Sequence, residues 1–435
     1  MNAARTATFR RTAGRYRSGP RLRLPAHRAS SATLAGAYPF LVPPSCDIGV
    51  PVGQDALTGG PFGFDPWALY SAGDLTNPNL LLAGVIGQGK SALAKSLAMR
   101  SITAGRSVYV PGDPKGEWAP VAAAVGGTVV RLGPGLLARL NPLDAQDGPE
   151  PHGPRVRLLA AVAALTVHRE LGAAEQGALD AALATAERRR STPTIGDVLS
   201  ALASPDASSA RCDGVRVEDR SADGRDLAHG LRRLVRGDLA GLFDEPSTER
   251  LDPHAPMVVL DLSRLGSDED ALALAMTCAS AWLEGALLAS NAKRWVIYDE
   301  AWRVLRHVAL VRRMQSQWKL SRAHGIANLM VLHRLSDLDA IGQHGSEARS
   351  LAQGLLADCS TRVIYRQESD QLSGTAGALG LTRPERDLLP VLPRGTGLWK
   401  MPHRTHVVHH VLHPAEVDVV DTDSAMRDHT EHEDR

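Results

Sequence analysis

The chain has 435 residues, 43% of them hydrophobic, and its 49 basic and 48 acidic side chains leave a formal net charge of +1. That suits a soluble globular protein holding one large domain with an insertion, or two to three domains. No stretch reaches the length of a membrane span, and the dispersed Cys46, Cys212, Cys278 and Cys359 lack the spacing of a disulfide framework or zinc site, which predicts reduced thiols in a cytoplasmic protein.

Residues 1–45 read as a basic tail and linker. Residues 1–28 carry eight arginines and no acid. Such an arm binds nucleic acid or anionic lipid non-specifically, remains a solvated tail, or is an organellar transit peptide; it lacks the apolar core of a secretory signal.

Leu80–Ala83 is a short apolar run of strand type. It leads into Gly84-Val85-Ile86-Gly87-Gln88-Gly89-Lys90-Ser91, which fits the phosphate-binding pattern G-x-x-x-x-G-K-S. The glycines let the backbone curl so that N–H groups point inward at phosphate oxygens. Lys90 would reach the β- and γ-phosphates and the Ser91 hydroxyl would bind Mg²⁺. Ala92, Leu93, Leu97, Ala98 and Ile102 follow at helical spacing, and this helix would aim its N-terminal dipole at the same anion. Gly84, Gly87, Gln88, Gly89, Lys90, Ser91 and Ala92 are therefore the predicted nucleotide contacts.

A second strand-like run, Val108–Val110, precedes Asp113-Pro114-Lys115-Gly116-Glu117. Asp113 either faces the nucleotide, as strand ends beside such loops do, or belongs to an ordinary Pro-Gly turn. Thr128–Leu132 is a third run. From about Arg155 to Phe243 the pattern is helical (Arg155–Ala186, Ile195–Ala203, Leu227–Leu242), interrupted by turn-rich text from Ser204 to Gly224.

Strand-like runs resume at Met257–Leu260 and Trp295–Tyr298, separated by the apolar Ala271–Leu283, which reads as a buried helix. Trp295–Tyr298 ends in Asp299-Glu300, the form of a Walker B element: Asp299 would hold Mg²⁺ opposite Ser91, and Glu300 would polarise the attacking water. Ser321-Arg322 leads towards Leu329–Leu332, which ends at His333. There His333 is a γ-phosphate sensor or a core-edge residue, and Arg322 an arginine finger for a neighbouring subunit or a surface residue. The last strand-like run is Arg362–Tyr365. His403, His406, His409, His410 and His413 invite a metal reading, but a polar, half-exposed strand explains them better. Residues 414–435 carry eight acids.

Alternating strands and helices predict an α/β fold with a mostly parallel sheet. The expected division is a basic tail over 1–45, a nucleotide-binding core over 46–145 and 251–420, an all-helical insertion over 146–250, and an acidic tail over 421–435.

As a set, GVIGQGKS, DPKGEW, GDLAGLFDEP, IYDEAWRVL, SRAHGIANLMVLHRLSDL, LPRGTGLWK and VVDTDSAM resemble the HerA/FtsK superfamily of hexameric ATPases, across about residues 60–425. The nearest likeness is to the VirB-class ATPases of conjugation and type IV secretion, in their actinobacterial form. The resemblance implies a RecA-like P-loop core that binds and hydrolyses ATP with Mg²⁺, a homo-hexameric ring, and movement of DNA or protein. It gives Lys90, Ser91, Asp299 and Glu300 their Walker roles. His333 stands where DNA-translocating relatives often carry Gln. The long N-terminal domain of the large secretion ATPases and the membrane helices of coupling proteins are lacking, so partnership with membrane-associated secretion components would place a cytoplasmic protein at most peripherally at the inner face of the membrane. The alternatives are a nucleotide-binding assembly component with little hydrolysis, and a cytoplasmic HerA/FtsK-like DNA translocase.

Overall fold

The computed structural model describes residues 48–144, 151–249, 252, 254–266, 268–288, 292–305, 307–333 and 347–421. The basic arm, and the acidic tail beyond Asp421, lie outside them. Eleven strands occur among the described residues: β1 (Val50–Asp55), β2 (Pro61–Phe64), β3 (Leu80–Ala83), β4 (Ser107–Asp113), β5 (Thr128–Arg131), β6 (Met257–Asp261), β7 (Arg294–Tyr298), β8 (Ile326–Leu332), β9 (Thr361–Ile364), β10 (Thr396–Lys400) and β11 (Thr405–His410). They form one sheet in the order β2-β1-β11-β10-β9-β3-β8-β7-β4-β6-β5.

From β9 to β5 the pairing is parallel throughout. This explains why β3 is apolar at four successive positions. Leu80 and Leu82 pack with Leu93 and Leu97 of the helix Lys90–Thr103 on one face, and Leu81 joins the core on the other. A strand covered on both faces has no polar side to alternate. The second face is covered by the helix Glu269–Leu288, which packs on β4 and against the helix His152–Val167. Six helices lie between β5 and β6 in the described residues, and no strand.

Three features depart from the sequence reading. Strands β1, β2, β10 and β11 extend the sheet as an antiparallel edge. The helical run from Arg155 is broken where His168 adopts a left-handed backbone (φ 54°), and the helix Ala173–Arg189 begins afresh from Gly172. The turn-rich interval holds two short helices, Ala207–Cys212, capped by the Asp206 carboxylate, and Val217–Asp223. In β11, His406 Nδ1 bonds the Asp55 carboxylate at 3.0 Å and His409 bonds Thr396, while His413 caps the helix Pro414–Val420. No group of three or more His, Cys, Asp or Glu able to hold a metal occurs among the described residues. None of the described helices is long and apolar enough to cross a membrane.

Candidate active site

Pairing of Ala83 with Leu332, and of Tyr298 with Met330, brings the carboxyl ends of β3, β7 and β8 to one edge of the sheet. β8 lies between the other two. The glycine loop, the acid pair and His333 all follow directly from those ends. At Gly84 a Cβ would stand 2.6 Å from the Tyr365 Cβ, so only glycine allows the loop to leave β3 so close to the segment after β9. Gly89 caps the following helix with φ 98°, a conformation open to glycine. The Gly395 N–H donates to the Gln88 carbonyl at 3.0 Å, which ties the loop to the entry of β10. Gly87 is exposed, and Ser91 and Ala92 are half-buried in the helix's first turn.

Lys90 is 4% exposed, and its Nζ donates to the carbonyls of Gly84 at 2.6 Å and Val85 at 2.8 Å. Burial lowers its pKa to about 8, against the pull of Asp299 and Glu300. Lys90 therefore shares the electrostatic environment of both acids.

Asp299 is buried and forms no ion pair among the described residues. One oxygen accepts the Trp118 Nε1–H at 3.0 Å and the other the Glu300 N–H at 3.1 Å. Burial pushes its pKa up, with the Trp118 bond opposing. A buried carboxylate with no ion-pair partner among the described residues is a hard-oxygen donor of the kind that fits Mg²⁺.

Glu300 differs. Its backbone is left-handed (φ 57°), rare for a residue with a Cβ. One carboxylate oxygen accepts His333 Nε2 at 2.7 Å and is ion-paired with Lys115; the other accepts Trp302 Nε1 at 2.5 Å. Burial would raise its pKa, but these donors outweigh burial and hold it at about 2. Nδ1 of His333 is buried and finds no partner among the described residues.

Asp113 ends β4 and is turned into its own loop. Its carboxylate accepts the N–H groups of Lys115 (3.2 Å), Gly116 (2.9 Å) and Trp118 (2.8 Å). Burial, with Asp261 nearby, raises its pKa to about 6. The loop it shapes reaches both acids that follow β7, through Lys115 to Glu300 and Trp118 to Asp299, while Glu117 pairs with the buried Lys95 at 3.2 Å. Sequence reasoning singles out this loop as a motif but assigns no role to Lys115, Trp118 or Trp302. The signal is the Asp-Pro-Lys-Gly-Glu-Trp run itself, whose charges and indole exceed what a simple turn needs. Arg322 is not brought to the site. It is exposed, in the single turn before β8, while His333 follows β8. The seven-residue strand separates them by about 20 Å.

No protein-family model and no curated protein matches the chain. Among solved structures, VirB4 of Thermoanaerobacter pseudethanolicus matches 86% of this chain and 100% of its own, at 20% identity and a TM-score of 0.71. The bacterial conjugative coupling protein TrwBdeltaN70, in its unbound form, matches 77% of this chain and 84% of its own, at 13% identity and a TM-score of 0.55. The plasmid coupling protein TrwB in complex with ADP and Mg²⁺ matches 83% and 90%, at 15% identity and a TM-score of 0.55. The chain has the fold of these proteins, an α/β core of RecA-like P-loop type.

Proposed function

We propose that this chain is an ATP-hydrolysing motor of a conjugative DNA-transfer or type IV secretion apparatus. The observation that carries the reading is the meeting of Lys90 with Asp299, Glu300 and His333 at one sheet edge, in a fold shared with all of the solved VirB4 chain.

In this reading the N–H groups of Gly84, Gly87, Gln88, Gly89, Lys90, Ser91 and Ala92 cradle the phosphates, and the Lys90 ammonium faces the β- and γ-phosphates. Ser91 and Asp299 would hold Mg²⁺, which when bound neutralises charge on the phosphate oxygens. Trp118 fixes the Asp299 carboxylate, and Asp113 acts by shaping the loop that carries Trp118. Glu300 orients a water whose oxygen attacks the γ-phosphorus; the bond to the bridging oxygen breaks, ADP leaves, and the water's proton passes to Glu300 or to the phosphate released. His333 orients Glu300. Arg322 acts on the nucleotide of a neighbouring subunit in a homo-hexameric ring. The core is built from 46–145 and 251–420 with 146–250 inserted, and the basic arm contacts DNA.

A second reading, an assembly component with slow hydrolysis, is favoured by one observation: all three of the contacts to Glu300 come from protein donors. Steady-state ATP hydrolysis by the full chain, with and without DNA, separates them. Turnover lost in Lys90→Ala and raised by DNA supports a DNA motor. Nucleotide binding without turnover refutes the motor.

A further inference from the structure

A carboxylate that directs water needs an acceptor site turned towards that water. Glu300 carries three donors, Lys115 and His333 together on one oxygen and Trp302 on the other, which leaves about one of its four acceptor sites for water. Turning the oxygen that holds two donors towards water is eased if one of them yields, and the donors are not equally free. The Trp302 indole sits two residues along the same backbone. His333 follows directly on β8, which is buried at every position. Lys115 stands on a turn whose backbone is pinned by three N–H bonds to Asp113, and its side chain is 46% exposed. A pinned backbone with a long, half-exposed side chain is a pivot. The Lys115 charge acts on Lys90 and on Asp299 as well as on Glu300, so its reach spans the region between the glycine loop and the acid pair.

We propose that Lys115 is a latch on Glu300 that responds to triphosphate: its ammonium pairs with the Glu300 carboxylate in the arrangement described and transfers to the γ-phosphate of bound ATP, leaving Glu300 an open acceptor for water. The idea rests on the ATPase reading above and adds its regulation. A γ-phosphate supplies the competing anion and ADP does not, so the latch distinguishes triphosphate from diphosphate and exposes the water-directing group only when there is a bond to hydrolyse. Lys115 is thus a positioning residue with respect to Glu300.

The test is a set of equilibrium affinities, by calorimetry on the full chain, for AMP-PNP and for ADP with Mg²⁺. Lys115→Met should weaken AMP-PNP binding at least about fivefold and leave ADP binding unchanged. Lys115→Arg, which keeps the charge, should restore most of the preference. In the Glu300→Gln background the competing carboxylate is gone, so the loss caused by Lys115→Met should be several-fold larger than in the unsubstituted chain. Equal loss for both nucleotides, or the same AMP-PNP loss in both backgrounds, overturns the latch, because Lys115 is then a structural ion pair or an ordinary phosphate contact. If the unsubstituted chain hydrolyses ATP and Lys115→Met binds AMP-PNP as well as it does, the latch fails and the ATPase reading stands. A chain that binds no nucleotide overturns that reading, and the latch with it.

Discussion

Replacing Asp113 by Asn sets two effects of similar size against each other. The carboxylate accepts three N–H groups, and an Asn oxygen can keep those of Lys115 and Gly116. Its amide cannot accept from the Trp118 N–H, now bonded at 2.8 Å in a buried position. A buried donor left unpaired costs about 1–3 kcal/mol, whatever the pH. Against this, burial raises the Asp113 pKa from 3.8 to about 6. The folded chain then holds this proton more tightly than the unfolded chain. The carboxyl's contribution to stability therefore falls as pH rises from about 4 through about 6, and is level above that. At pH 7 the ionised side chain costs about 3 kcal/mol, and at pH 5 about 1 kcal/mol less than that. Asn carries no such cost. Asp113→Asn should accordingly be nearly neutral at pH 7, within about 2 kcal/mol, and should lose about 1 kcal/mol relative to the parent on moving to pH 5. Urea denaturation of both proteins at the two pH values measures this. Parallel profiles would refute the buried-carboxylate argument, and a loss above about 4 kcal/mol at pH 7 would show that the turn depends on all three acceptors in a way single bonds do not explain.

The remaining expectations concern the proposed ATPase. Lys90→Ala should abolish hydrolysis and weaken nucleotide binding; unchanged turnover in the purified variant would remove the P-loop assignment. Glu300→Gln should keep nucleotide bound while slowing turnover by about 100-fold or more, and a variant that also loses binding would contradict the separation of roles between Asp299 and Glu300. Arg322→Ala, mixed with Lys90→Ala subunits, should recover some activity if each supplies what the other lacks across an interface; mixtures no more active than their components would leave Arg322 a surface residue. Deleting residues 1–28 should reduce the slope of log affinity for DNA against log salt, by about 0.9 for each phosphate the arm had neutralised, and an unchanged slope would leave the arm a solvated tail.

The sequence made the centre of the fold legible because its signals are local. The glycine loop, the apolar β3 before it and the Asp299-Glu300 pair after β7 each declare themselves within a few residues. Adjacency of β7 and β8 then brings Glu300 to His333 with no further signal required. The antiparallel edge was illegible for the opposite reason. β2 reads Pro-Phe-Gly-Phe and β10 Thr-Gly-Leu-Trp-Lys, short runs with Gly or Pro that pair locally with β1 and β11, and only the distant pairing of β1 with β11 joins β1 and β2 to the rest of the sheet. Long range also hid the bonding of Trp118, whose indole meets Asp299 across 181 residues. The break at His168 is hard to read because one left-handed residue decides it inside an Ala-rich pattern that otherwise reads as continuous helix, and the short helix capped by Asp206 is hidden in turn-rich text.

The left-handed backbone at Glu300 has a consequence for how the residue can be interrogated. That conformation costs a residue with a Cβ about 1–2 kcal/mol, which its three side-chain bonds offset. Alanine at this position would keep the penalty and lose every anchor, so the chain at Asp299 and the short helix Ala301–Leu305 would be free to relax. Diminished activity in such a variant would mix missing chemistry with a displaced metal ligand. Glycine would remove the penalty and the anchors together, and would loosen the same turn. Only an isosteric amide changes the charge while leaving backbone preference and side-chain reach nearly constant, which makes shape-matched replacement the informative probe of this site.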